Sequence, residues 1–418
     1  MKPSFDRMQI LAVSYALPPS LFPQSIQIGR LLYHCPAPVG AVSGKFGDDM
    51  RGMDCYPDFS KKMLFHLQVE YRPPFPPKLH RIARKFLPLY ARAPDEFKSW
   101  IPRAENAVLE QLSSSPAGSR QIVSFGEPMS DHLLGLRLKR KTGLPWVAHF
   151  SDPWADNPFR KLFFFSNILN RRMEAAVVRA ADKVIFTSKE TLSLVMGKYP
   201  PAFSKKCHVL PHSFDPDIYP ASSARSGKET VVRYLGSFYG NRTPFPLLAA
   251  LHKLHQSTPD LLKDVRFEFI GGIPPRMMKH RLIKSLPDRL IGFLPSVSYT
   301  ESLRLMKEAD LLLVIDAPAD LSVFLPSKLV DYLGAGVPIL GIVPKGSSAS
   351  LIERMGGSVA DPGDPRAIAA TLTLALESAR TRKISGDRKA WGNEDVRQEY
   401  AVERVGKQFL EILSRGTP

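Results

Sequence analysis

Cysteine is nearly absent. Cys35, Cys55 and Cys207 are the only three in 418 residues, and they form no close pair and no metal-ligand spacing. That excludes a disulfide framework and fits a reducing cytoplasm. Long apolar runs are missing as well: none approaches the roughly 18 residues that a spanning helix needs, so any membrane contact is expected to be peripheral. Residues 10–17 resemble a signal-peptide core, but their short length, Asp6 before them and Pro18-Pro19 after them mark a first buried strand and its exit loop. That loop, residues 15–20, lacks glycine, so the dinucleotide fingerprint is not present and a nicotinamide or flavin enzyme is disfavoured. No His/Cys/Asp cluster has metal spacing, and no Ser-His-Asp or G-x-S-x-G arrangement occurs, which limits hydrolase readings. Acidic charge is scarce. Forty Asp and Glu against 57 Lys and Arg leave a net charge of +17, which draws the chain to nucleic acid, an acidic membrane surface or phosphorylated substrates. No compact RNA- or DNA-binding motif is found, so nucleic acid is not expected as a partner.

What is present is alternation. Apolar runs of strand length at 9–14, 39–43, 64–69, 121–125, 146–150, 183–187 and 208–211 are separated by helix-period segments, notably 130–141 and 162–181. After a small, polar linker at 221–227 a second series begins, with strands at 231–236, 265–271, 290–294, 310–315, 337–343 and 358–360. Its helices fall at 244–256, 299–309, 328–333, 349–355 and 364–378. The fold class is α/β, with two Rossmann-like, doubly wound sheets expected to face a cleft and to bind ligands beyond the carboxyl ends of their strands. The expected domains are 1–215, 216–395 and a C-terminal helix, 396–418, packed back on the first half.

The stretch 325–345 is the densest in signals. Leu325, Pro326 and Ser327 lead into a helix, with Ser327 able to cap its first turn; Gly334 and Gly336 end it, and a buried strand follows. Lys328 at the helix front adds a full charge to free N–H groups, a place for phosphate. Asp331, one turn on, would repel phosphate and suits a neutral hydroxyl such as a ribose or sugar. An exposed Lys328–Asp331 ion pair is the plainer alternative. Three further loops lie at strand ends. In residues 234–242, Gly236 and Ser237 allow close approach and Arg242 can fork two hydrogen bonds to phosphate, unless it is simply a surface arginine. Gly271 and Gly272 permit backbone approach, and the backbone at Gly292 and Phe293 could meet a base edge. In the first half His149 and Asp152 close a strand together; a buried histidine bonded to backbone beside a turn-capping aspartate is the alternative.

Between residues 71 and 94 there is no acidic side chain, while six Lys and Arg alternate with aromatics. Within it, residues 78–87 place Leu79, Ile82, Phe86 and Leu87 on one helical side with basic residues around them, which suits either a lipid interface or a solvated helix covering the domain edge. Phe163, Phe164 and Phe165 raise the same question, and core packing is the expectation for three adjacent aromatics.

These motifs together carry a resemblance: PSKLVDYLGAGVP at 326–338, YLGS at 234–237 with Arg242, WVAHFSDPW at 146–154, AADKVI at 180–185 and DPGDP at 361–365. In order and spacing the chain resembles the GT-B glycosyltransferases of family 4, the bacterial type that builds surface polysaccharides, over nearly its full length. The resemblance implies a nucleotide-sugar co-substrate bound by the second domain, no metal and no other cofactor, and transfer with retention to a lipid-linked or oligosaccharide acceptor on the first. With the basic segment 71–94 and the high net charge, the expected setting is cytoplasmic, peripheral on the inner face of the cytoplasmic membrane and in contact with an anionic surface. By position Arg242 stands where the family often has a lysine contacting the donor diphosphate, and Asp331 stands for the second of two paired glutamates. The first of that pair is replaced by Val323, and Pro326 removes one backbone donor that Lys328 compensates. His149 or Asp152 would position the sugar or the acceptor hydroxyl. An inactive GT-B scaffold and a nucleotide-sugar epimerase are the alternatives.

Overall fold

The computed structural model describes residues 8–20, 22–46, 55–87, 89, 92–114, 119–159, 164–221, 227–387 and 389–415. The chain divides into two compact units, Met1–His212 with Val402–Pro418, and Ser213–Ala401. The linker read at 221–227 lies outside the described residues except at its two ends.

Among the described residues the first unit holds seven strands: β1 (Met8–Val13), β2 (Val39–Gly44), β3 (Phe65–Val69), β4 (Ser119–Gly126), β5 (Trp146–Phe150), β6 (Lys183–Phe186) and β7 (Cys207–Val209). They pair in parallel in the order β3-β2-β1-β4-β5-β6-β7. The second unit adds β8 (Thr230–Leu235), β9 (Val265–Ile270), β10 (Ile291–Leu294), β11 (Leu311–Ile315), β12 (Ile339–Ile342) and β13 (Ser358–Ala360), parallel in the order β10-β9-β8-β11-β12-β13. Every segment read as a strand from its apolar run forms one, and the central strands, buried on both faces, appear as short apolar runs. In each sheet the winding direction reverses once, between β1 and β4 and between β8 and β11. The crevice at such a reversal is where an open α/β sheet has room for a ligand.

The helices used below are α1 (Pro23–Tyr33), α2 (Pro77–Phe86), α3 (Ser130–Thr142), α4 (Phe164–Ala180), α5 (Tyr299–Lys307), α6 (Ser327–Ala335) and α7 (Val402–Ser414). Helix α7 belongs to the first unit: Phe409 packs on Phe125, Gln408 Nε2 donates to the Val209 carbonyl (3.0 Å), and Lys183 Nζ donates to the carbonyl of Ile412 (2.7 Å). Burial pulls the pKa of that lysine down, with Asp182 acting against the shift.

Several local expectations are corrected. Ser327 does not cap α6; Pro326 occupies the cap position and no side-chain cap bond forms. Only Gly336 ends the helix, with the left-handed φ of 66° that a β-carbon disfavours. Gly334 lies inside it, where a β-carbon would come within 2.3 Å of the Tyr219 hydroxyl. Phe164 and Phe165 are not core residues: they are 74% and 70% exposed. Phe163 lies outside the described residues. Helix α2 does not cover the domain edge with its apolar side. Ala83 is its buried residue, and Leu79, Ile82 and Phe86 face solvent.

Candidate functional site

The strongest convergence lies at the β8/β11 reversal of the second unit. Residues 328 and 332 are four apart on α6 and so share a face. The Tyr332 hydroxyl accepts the Leu235 N–H at the end of β8 (2.9 Å), which anchors the helix there. Lys328, one turn earlier, therefore reaches over Gly236. Its ammonium donates to the Tyr234 hydroxyl (3.3 Å) and lies 4.7 Å from the Tyr234 ring centre. Gly236 has φ 145°, and a β-carbon there would fall 1.8 Å from Lys328 Nζ.

The neighbouring loops close on this point. Leu235 and Ile270 are register partners, so Gly236 and Gly271 come opposite each other. A β-carbon on Gly271 would lie 2.4 Å from the Gly236 carbonyl oxygen. The Gly236 N–H donates to the Ile270 carbonyl (2.8 Å), and the Gly272 N–H donates to Ser237 Oγ (3.2 Å). Gly271, Gly272 and Ser237 thus hold the two strand ends together.

Arg242 is no surface arginine. It is 8% exposed, and its Nη2 donates to Asp316 Oδ1 at 2.9 Å while Nη1 donates to the Tyr239 hydroxyl, also at 2.9 Å. Asp316, 2% exposed, follows β11 directly and also accepts from Ser322 Oγ and its neighbour's N–H, that of Ala317. Burial works against the guanidinium's charge, but Asp316 and the two tyrosines outweigh it and hold Arg242 protonated. Lys328 has the opposite balance. Burial first, then the nearby Arg242, pull its pKa down to about 7, against a smaller upward pull from Asp316.

Asp331 does not form a solvated pair with Lys328. It is 4% exposed, and its Oδ1 accepts the hydroxyl of Tyr299 on α5 (2.9 Å). The neutral hydroxyl suited to this carboxylate is thus supplied by the protein. Leu325 is buried against the apolar cluster beneath α6, and Val323 is 5% exposed. Gly292 and Phe293 lie within β10, paired to β9, rather than in a loop beyond it, and the Phe293 ring stacks on Phe269.

The first unit has its own polar cluster, at the ends of its central strands. His149 on β5 is buried, at 2% exposure. Asp152 follows β5, half-buried. Two histidines join this cluster unannounced by sequence spacing, and a buried aspartate precedes one of them. His132 on α3 shares its Nδ1 with Ser124 Oγ (2.9 Å), His212 ends the unit, and Asp131 Oδ2 accepts the Tyr15 N–H (2.7 Å). Burial pulls the pKa of His149 down to about 4 and those of His132 and His212 to about 3, with His149 adding to both. Because the folded values lie below the ordinary value of about 6.5, this stability is fully present above pH 6.5 and is lost as pH falls toward 4. The expected result is a melting temperature that already declines between pH 7 and 5.5, above the carboxylate range, with a shallower decline in His212→Asn. A flat profile over that interval would contradict the buried neutral histidines.

No protein-family model and no curated protein matches the sequence. Solved structures do match by shape. Anabaena HepE in complex with UDP-glucose is 17% identical, with 97% of this chain and 99% of that chain covered and a TM-score of 0.64. The chain has the GT-B fold. Sucrose-phosphate synthase from Thermosynechococcus elongatus (16% identity, 97% and 98% covered, TM-score 0.68) and the lipopolysaccharide outer core galactosyltransferase WaaB in its apo form (12%, 97% and 98%, TM-score 0.61) share the GT-B architecture. At these identities the likeness concerns the fold.

Proposed function

We propose that this GT-B protein is a glycosyltransferase that takes a sugar from a nucleotide-sugar donor and hands it, with retention and without a metal, to a lipid-linked or oligosaccharide acceptor in surface polysaccharide synthesis. It works from the inner face of the cytoplasmic membrane. The observation that carries the proposal is the convergence of Arg242 and Lys328 on the glycine-lined β8/β11 crevice, a seat for a diphosphate. The UDP-glucose complex of the similar-shaped HepE supports the same ligand class.

The chemistry asks little more of the protein. The bond between the anomeric carbon and the diphosphate oxygen breaks with its electron pair on that oxygen. The acceptor oxygen bonds the anomeric carbon from the same face, and its proton passes to the departing diphosphate. Arg242, anchored by Asp316, and Lys328 stabilise the charge that grows on the leaving group. His149 and Asp152, in the first unit, position the sugar or the acceptor hydroxyl. Val323, apolar and buried, offers the donor no acid at the position where the resemblance places one.

A lysine near neutrality adds a testable signature. Bringing a diphosphate beside Lys328 raises its pKa, so binding takes up protons at pH 8 and weakens as pH rises further. Calorimetry with UDP, GDP and TDP in two buffers of different ionisation enthalpy is expected to show one preferred nucleotide and net proton uptake that disappears in Lys328→Met. Response to none of the three would favour an inactive scaffold. Loss of donor without any acceptor would favour an epimerase.

A further inference from the structure

Helix α2 is amphipathic in the unusual sense that its apolar stripe is turned away from the protein. Leu79, Ile82 and Phe86, spaced to lie on one helical face, are 49%, 52% and 65% exposed. Ala83, buried, and His80, which sits against Tyr71, lie along one flank of that stripe. Lys78, Arg81 and Lys85 are exposed along the flank of the apolar stripe, and Arg84 pairs with Glu96 Oε2 (2.7 Å). A water-soluble surface helix packs its apolar stripe inward and its charges outward; α2 does not.

A second exposed apolar group belongs to the same unit. Phe164 and Phe165 open α4, with Leu169 one turn on at 38% exposure and Arg172 also exposed. Asn170 of α4 donates through Nδ2 to the Arg92 carbonyl (2.6 Å), and Lys98 Nζ donates to the carbonyls of Leu89 and Ala93. The start of α4 is thereby tied to the segment that leaves α2. Exposed apolar side chains rimmed by charge of one sign mark an interaction surface, and here that sign is positive, with no acidic residue from 71 to 94.

We propose that α2 and the start of α4 form one docking surface for an anionic lipid bilayer, in which Leu79, Ile82, Phe86, Phe164 and Phe165 enter the acyl boundary and Lys78, Arg81 and Lys85 meet the headgroups. Positive charge beside the apolar stripe selects an acidic membrane over a neutral one. The proposal deepens the peripheral-membrane part of the reading above and rests on it. It does not rest on the donor site, so nucleotide binding and membrane binding fail independently.

The test is vesicle flotation of the full chain with phosphatidylglycerol/phosphatidylcholine liposomes and with phosphatidylcholine alone. The expected result is co-flotation with the acidic vesicles at low salt that weakens as salt rises, and little with the neutral ones. Phe164→Ser/Phe165→Ser and, separately, Lys78→Glu/Arg81→Glu/Lys85→Glu are expected to reduce the bound fraction about tenfold or more while leaving nucleotide affinity by calorimetry unchanged. Equal binding to neutral vesicles, or unchanged binding in the phenylalanine variant, overturns the two-element surface. So does a lipid-free, concentration-dependent dimer in sedimentation velocity that the same substitutions abolish, which would assign the surface to a second copy of the chain.

Discussion

Arg242→Ala and Lys328→Ala are each expected to lower turnover by about 10²-fold or more, read as nucleoside diphosphate released from the preferred donor in the presence of acceptor. The diphosphate gains charge as the glycosidic bond breaks, so a cation fixed beside it stabilises the transition state more than the bound donor. The two variants differ in their side effects. Arg242 holds Asp316, which is 2% exposed, and deleting the arginine leaves a buried carboxylate unpaired at a cost of about 3–5 kcal/mol. A lost fold would then imitate lost catalysis. Asp316→Asn separates the two effects, because it keeps the side chain's size and its hydrogen-bonding partner Ser322 while loosening the anchor on a guanidinium that stays charged. Its turnover is expected to fall while donor affinity changes less, with a smaller loss of melting temperature than in Arg242→Ala. Near-normal rates in both alanine variants, with both folded, would sink the donor-site assignment.

The second large effect is expected at Gly236. A methyl group there would sit 1.8 Å from the Lys328 ammonium and 2.9 Å from its Cε, on a backbone at φ 145°. The flexible lysine end is the part that can move, so Gly236→Ala expels it, and the strained backbone adds its own cost of about 1–3 kcal/mol. Gly236→Ala is therefore expected to reproduce the Lys328→Ala loss in turnover and in UDP affinity, together with a lower melting temperature. Two residues acting through one ammonium cannot lose it twice. The double variant is expected to be little worse in turnover than either single one, a non-additivity measurable in a double-mutant cycle. Losses that multiply would show that Gly236 serves the backbone alone.

The legible part of this molecule was legible for a definite reason. Buried parallel strands such as Leu311–Ile315 and Trp146–Phe150 announce themselves as short apolar runs, and the helices between them by their period. Of the candidate site, Gly236, Arg242 and Lys328 could be found because glycine, a forked cation and a helix-front lysine each have a local signature. Asp316 had none. It is one aspartate after a strand, 74 residues from the arginine it holds, and only the parallel neighbour relation of β8 and β11 brings the two within 2.9 Å. His132, His149 and His212 belong together for the same kind of reason: their separations of 17 and 63 residues match no ligand or catalytic spacing, and a shared sheet end collects them.

The local expectations that failed did so where periodicity identifies a face but not its direction. The spacing of Leu79, Ile82 and Phe86 makes an apolar stripe certain, yet Ala83 and His80 are the side that packs. Adjacent aromatics at 164 and 165 imply burial by composition, but they begin a helix whose buried positions are Ser166, Asn170, Glu174, Val177 and Val178. Sequence by itself determined two alternating α/β series, their strand positions and the glycine-and-cation character of the second unit's loops, since these depend on local propensity and burial period. Tertiary structure alone decided that Asp316 anchors Arg242, that Lys328 stands over Gly236 with a pKa near neutrality, and that α2 offers its apolar stripe outward. Each of these is a contact, or the lack of one, between segments far apart in the chain, and the free energy that selects it comes from burial and electrostatics that exist only once the sheets have formed.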